Sequence, residues 1–284
     1  MHEVPGGLST EQSALLEIES YYRAFHELYE AERPLRVLPA SSFGDDLKLM
    51  RHPTPPYWCN VHLAAARDHM QVLRRLTGQP PGGLAEWPSH SAWTLTRVVI
   101  EAAAYAIWIA SPDSQKERFA RAFQMWNRDA IDEITAIELT YSARKRQRLG
   151  LSLRQAHSAR LTEKLELLPW AMSREQIVNG PAAVECIKVA ARESRCAKPD
   201  SAVILWRVAS GHAHARSWAH LNSAEFESLE ETETGTLVRG TVNVLTICPS
   251  IALALGLLQY ADWLVAKRSG YSTRFEASID LTVK

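Results

Sequence analysis

The sequence predicts a mainly α fold: a multi-helix bundle with a small β-hairpin before the C-terminal helix. Three observations predict it. Apolar residues recur at three- and four-residue spacing over most of the 284 residues. Breakers at Pro34, Gly78, Pro80, Gly82, Pro88 and Pro112 cut this pattern into helix-length pieces. Only around 226–246 do β-branched residues gather on both sides of a glycine, Gly235, as in a hairpin.

The elements follow in order. The first helix starts at Thr10 and ends at or before Arg33, because the residue preceding Pro34 is pushed out of the helical region. Its stripe is Leu15, Leu16, Tyr22, Phe25, Leu28 and Tyr29. Residues 35–56 are rich in proline and polar residues and read as a long loop. A second helix spans 57–77 and stops at Gly78. A third runs from Pro88 to Ser111 and Pro112; it is alanine-rich and apolar nearly all round, which marks a central helix. A fourth starts near Asp113 or Ser114, with Phe119, Phe123, Trp126, Ala130, Ile134 and Ile137 as its stripe, and continues to about Arg148. Shorter helices cover 152–168, 173–178 and 182–195, and Pro199 opens a helix that runs on through Trp218. The hairpin follows, then an apolar helix from Pro249 to about Lys267, and an irregular tail from Gly270. As domains, this gives one helical unit over 1–284: an N-terminal appendage (1–56), a core (57–222), a hairpin (223–247) and a C-terminal helix (248–268).

Formal net charge is zero, which argues against a broad electrostatic DNA binder whose affinity comes from many phosphate contacts. Cys59, Cys186, Cys196 and Cys248 show no CxxC spacing and read as reduced thiols, the expectation for a cytoplasmic protein. The N-terminus has no basic region followed by an apolar run, so no signal peptide is expected. Glu101 interrupts the apolar run 98–110, and Gln259 and Asp262 interrupt 251–266; both are expected to be core helices, with no membrane partner.

The densest chemistry lies in 206–218, which holds two arginines, two serines, two histidines and two tryptophans in an apolar helical stretch. At about 100° per residue, Arg207, Ser210, Gly211, His214 and Trp218 share one face. His212 points away, about 140° from Arg207. An arginine stabilises charge developing on phosphoryl oxygens, and an imidazole moves protons near neutral pH. Together they suit metal-independent cleavage of RNA, in which the 2′-hydroxyl is the nucleophile. Ser210 is placed to bond the phosphate or orient the imidazole, and Trp218 to stack on a base. The competing reading pairs Arg207 with a carboxylate and His214 with a carbonyl of a neighbouring helix.

Arg97 and Glu101, at i,i+4 in the most apolar helix, are expected to pair, since a buried charge without a partner is costly. From a facing helix they would also reach the Arg207/His214 stripe. Arg144, Lys145 and Arg146 form a basic run near the end of the long helix, either contacting RNA phosphates or complementing the helix dipole. His62 and His69, and the pair His212 and His214, lack the further ligands a tetrahedral site needs, so no metal is expected. No GxGxxG, phosphate-loop or GxSxG pattern occurs, and no cofactor is expected.

The spacings Arg207-x4-His212 and Arg207-x6-His214 resemble the Arg-x4-6-His signature of HEPN domains. The segment Trp206-Arg207, Ser210 and His214, with Thr96-Arg97 and Glu101, is also similar to two recurring pieces in a group of uncharacterised bacterial helical proteins. The resemblance covers about 92–220. It implies a helical bundle, usually a homodimer, that cleaves RNA without metal in toxin–antitoxin or antiphage systems, with an antitoxin or other protein partner. By that resemblance Arg207 stabilises the phosphate, His214 or His212 is the acid or base, and Glu101 supports them. The alternative expectation is a non-catalytic interaction protein or scaffold in which Arg97, Glu101, Arg207 and His214 form a buried network that fixes helix register.

Overall fold

The computed structural model describes residues 9–30, 36–78, 87–88, 90–140, 143–178, 180–233 and 235–271. They form a helical bundle with one two-stranded antiparallel hairpin before the last helix. Its centre is α4 (Ser91–Ala110), in which residues 102–110 are all buried. Such a helix has no face to present to water, and its alanines let neighbouring backbones approach closely. Four helices cover it: α3 (Pro55–Thr77), α8 (Ala183–Ser194), α9 (Pro199–Ala213) and α11 (Val244–Arg268). α1 (Thr10–Glu30) lies on α11. By length and composition alone α4 and α11 are apolar enough to cross a bilayer; within the molecule 72% and 61% of their most apolar windows are buried.

A second, smaller core gathers Met50, Phe119, Phe123, Leu161, Leu168 and Ile177. It lies between α5 (Gln115–Leu139), α6 (Ala143–Glu166) and α7 (Arg174–Val178). The long helix expected to about Arg148 is therefore two helices, with the break after Leu139. Thr140 ends α5 by turning its hydroxyl onto the Ile137 carbonyl at 2.7 Å. α6 then returns along α5, fixed by Arg154 donating to Glu138 at 3.1 Å and by His157 against Asn127 at 3.0 Å. A Cβ at Gly150 would lie 1.9 Å from the Glu138 carboxylate, so a side chain there would displace that carboxylate. The break puts Arg144, Lys145 and Arg146 in the first turn of α6, not at a helix C-terminus, so the dipole cannot be their reason. Their side chains lie outside the described residues.

The expected loop 35–56 contains a helix, α2 (Ser42–Leu49). Ser41 caps it by accepting from the Gly44 amide at 3.0 Å. Tertiary contact rather than hydrophobic period builds this helix. Asp46 is fully buried and receives two hydrogen bonds from Arg118, at 2.8 and 2.9 Å. The same guanidinium donates to the carbonyls of Pro112 and Asp113, tying the α4–α5 turn to α2.

Two further boundaries differ from expectation. The helix opened by Pro199 ends at Ala213, and a separate α10 (Ser217–Ser223) follows. The hairpin is β1 (Ala224–Thr232) and β2 (Gly235–Val242), with an irregularity between Ser228 and Glu230. α11 starts at Val244 rather than at Pro249, because Asn243 caps it, accepting from the Thr246 amide at 3.1 Å. Pro249 sits inside its second turn.

Replacing Asp46 by alanine leaves the Arg118 guanidinium charged, buried and without its carboxylate. The expected cost is about 3–5 kcal/mol, read as a lower urea midpoint at unchanged slope.

Candidate functional site

The site is built on the C-terminal half of α9, and two short-range constraints shape it. At Gly211 a Cβ would lie 2.6 Å from the Ala219 methyl and 2.9 Å from the Trp218 ring, so glycine lets α10 close onto α9. The turn between the helices is made by Ala215, whose φ of 50° is left-handed backbone. His214 still belongs to the α9 ladder, its amide donating to the Ser210 carbonyl at 3.1 Å. Arg207 and His214 therefore keep the same face, about 10 Å apart along the axis. Trp218 is not a continuation of that face. It reaches the site from α10 by lying over Gly211, and is 48% exposed.

The two candidate histidines have opposite environments. His212 is 2% exposed. Its ring stacks flat on Trp93 of α4, with centroids 4.9 Å apart and planes within 1°. Its Nε2 is 2.5 Å from the Ser223 hydroxyl, which itself donates to the Ala219 carbonyl. With the serine proton committed, His212 must carry its own proton on Nε2 and donate it to Ser223. Its Nδ1 is buried with no hydrogen-bond partner. A second proton there would place a charge in a dry site with no acceptor. Burial, and then the adjacent imidazoles His90 and His220, hold its pKa down to about 4. At neutral pH His212 is a neutral stacking residue enclosed away from solvent.

His90 and His220 complete this cluster. His90 donates from Nδ1 to the His212 carbonyl at 3.2 Å and stacks on His220 at 5.1 Å. His220 meets the edge of Phe226 on β1 and lies against Gly240 on β2. These contacts dock the hairpin onto α4 and α10. Sequence reasoning missed His90, Trp93, His220 and Ser223 as partners of His212. Their only sequence signal is that polar and aromatic residues fall near breakers; nothing in the spacing joins 90–93 to 212–223.

Arg207 and His214 are both exposed, and Ser210 between them is half-buried. Among the described residues neither the Arg207 nor the His214 side chain has a hydrogen bond or ion pair. Arg216, which precedes α10, is also exposed. Arg97 and Glu101 pair with each other at 3.0 Å, both about one-fifth exposed. No hydrogen bond or ion pair joins them to Arg207, Ser210 or His214 among the described residues. Glu101 lies about 12 Å along α4 from Trp93, and its charge acts on Tyr105, Arg128 and Cys186 instead. The buried network expected of Arg97, Glu101, Arg207 and His214 is thus divided: a half-buried ion pair on α4 and two free polar side chains on α9. Among the described residues no group of three or more His, Cys, Asp or Glu is placed to hold a metal ion. Of the three clustered imidazoles, His90 and His220 stack, while His212 meets His90 tilted and His220 edge-on.

No family model, curated protein or solved structure matches the chain.

Two outcomes follow from this geometry. Gly211→Ala gains about 1 kcal/mol of helix propensity but overpacks the α9–α10 contact by about 1–3 kcal/mol. A net loss of stability is expected, with a changed near-ultraviolet signal from Trp218. The second concerns pH. His212 is neutral when folded but takes up a proton near 6.5 when unfolded, so its contribution is complete above 6.5 and is lost as pH falls toward about 4. His212→Phe keeps the stack on Trp93 and leaves Ser223 bonded to Ala219. Its unfolding free energy should fall less steeply than wild type between these pH values; equal slopes would refute the assignment.

Proposed function

We propose that this protein is a HEPN-like, metal-independent endoribonuclease, acting as an effector of a toxin or antiphage type in the cytoplasm. The observation that supports this reading best is the free state of Arg207 and His214. Two groups suited to phosphodiester chemistry stand exposed on one helical face without a protein partner among the described residues, while the other candidate, His212, is sequestered. Stability does not call for an unpaired arginine and histidine beside a half-exposed tryptophan.

In this reading the RNA backbone lies along α9. His214 takes the proton from a 2′-hydroxyl, whose oxygen attacks the adjacent phosphorus. The bond from phosphorus to the 5′-oxygen breaks, and the imidazolium returns its proton to that oxygen. The products are a 2′,3′-cyclic phosphate and a 5′-hydroxyl. Arg207 stabilises the charge that builds on the non-bridging oxygens. Ser210 bonds the phosphate, and Trp218 supplies a surface for a flanking base. Arg144, Lys145 and Arg146 would add phosphate contacts. A second copy of the chain, facing the first across a two-fold axis, would double the motif.

A non-catalytic interaction protein is the second reading, favoured by a specific observation. Leu221 on α10 and Phe226, Leu229 and Leu237 on the hairpin are 43–67% exposed. Such apolar exposure on adjoining elements suits a protein partner.

Purified protein should cleave RNA, tRNA included, in excess EDTA. Arg207→Ala and His214→Ala should each lower the rate at least ~100-fold with an unchanged circular dichroism spectrum. Absence of cleavage over a broad RNA panel would replace this reading by the interaction protein.

A further inference from the structure

A second site lies at the other end of α9, where the α8–α9 turn meets the start of α11. There the molecule has a groove of about 800 Å³, within the range of small-molecule sites. Its floor is apolar: Ala191 from α8, Leu205 from α9 and Leu253 from α11. Ile204, 60% exposed, extends this floor toward solvent. The rim is cationic. Arg192, Arg195 and Lys198 all line the groove, all are exposed, and among the described residues no carboxylate lines it. Among the described residues none of the three makes an ion pair; nearby Asp200 is paired with Lys188 at 3.4 Å.

This asymmetry is unusual in a chain of zero net charge. Three like charges around one apolar groove repel each other, and an anion at the rim relieves that repulsion. Arg195 adds a backbone observation. It ends α8 at φ 58°, a left-handed position where glycine is the ordinary residue. The chain accepts that strain and keeps a guanidinium at the mouth of the groove.

We propose that this groove binds a single-chain amphipathic anion, its acyl chain on Leu205, Ile204 and Leu253 and its carboxylate or phosphate head between Arg192, Arg195 and Lys198. The site is independent of the Arg207/His214 reading and stands or falls separately. It also carries its own reporter. Cys196 lines the groove and is half-buried, whereas Cys59, Cys186 and Cys248 are buried. A chain in the groove covers its thiol.

The test uses the whole protein and monomeric dodecanoate, dodecyl phosphate, octanoate and dodecyltrimethylammonium, followed by calorimetry. Both anions should bind one to one, and affinity should rise about fourfold per added methylene from octanoate to dodecanoate. The cationic amphiphile should bind at least tenfold more weakly. Dodecanoate should slow alkylation of Cys196 by N-ethylmaleimide, read by intact mass. Arg192→Glu combined with Lys198→Glu, both at exposed positions, should weaken anion binding at least tenfold with an unchanged circular dichroism spectrum. Dodecanoate binding more tightly than dodecyl phosphate, or the reverse, names the head group. The proposal is overturned if the cationic amphiphile binds as well as the anions, if inorganic phosphate binds as tightly as dodecyl phosphate, if the double variant binds normally, or if only anionic vesicles bind.

Discussion

The burial of α4 is the constraint on which the rest of the structure depends. Residues 102–110 of this helix have no face toward water and must be enclosed, and α3, α8, α9 and α11 pack around the helix. Enclosure fixes which face of each neighbour is apolar. For α9 this decides the fate of its polar residues: His212 turns inward against Trp93, while Arg207 and His214 are left on the outer surface. One helix thus carries a structural histidine and an unpartnered Arg/His pair only two residues apart in sequence. The difference between them is rotation about the helix axis relative to α4.

The histidine cluster transmits that constraint to the hairpin. His212 on Trp93, His90 on His220, and His220 against Phe226 and Gly240 form a chain of stacked and edge-on contacts from the central helix to the strands. A two-stranded hairpin is marginal alone, so this docking gives it a place. Gly211 and Ala215 make the corner at which α10 delivers His220 and Ser223 to the cluster. The exposed pair on α9 therefore rests on a packed aromatic and imidazole layer.

Much of this was legible in the sequence wherever periodicity alone decides. The apolar character of 91–110 marked the central helix, and Gly235 among β-branched residues marked the hairpin. The 3.6-residue period also separated His214 from His212, because 140° of rotation distinguishes an outer from an inner position. What was hidden depended on partners far away in the chain. α2 exists because Asp46 meets Arg118, 72 positions later. The α5–α6 break follows from Glu138 meeting Arg154 across a turn that no proline or glycine announces. The start of α11 was misplaced because Asn243 caps it upstream of a proline that is tolerated within the helix. His90 and Trp93 are more than 100 positions from His212, and only the folded bundle brings them together.

His212 packs the bundle while His214 stands on its surface, a difference that equilibrium unfolding of His212→Ala and His214→Ala at neutral pH measures. Removing the stacked, enclosed ring of His212 should cost at least ~2 kcal/mol. Removing the exposed ring of His214 should change stability by no more than ~0.5 kcal/mol. Equal losses, or a larger loss at His214, would show that His214 is a structural residue and would contradict the account.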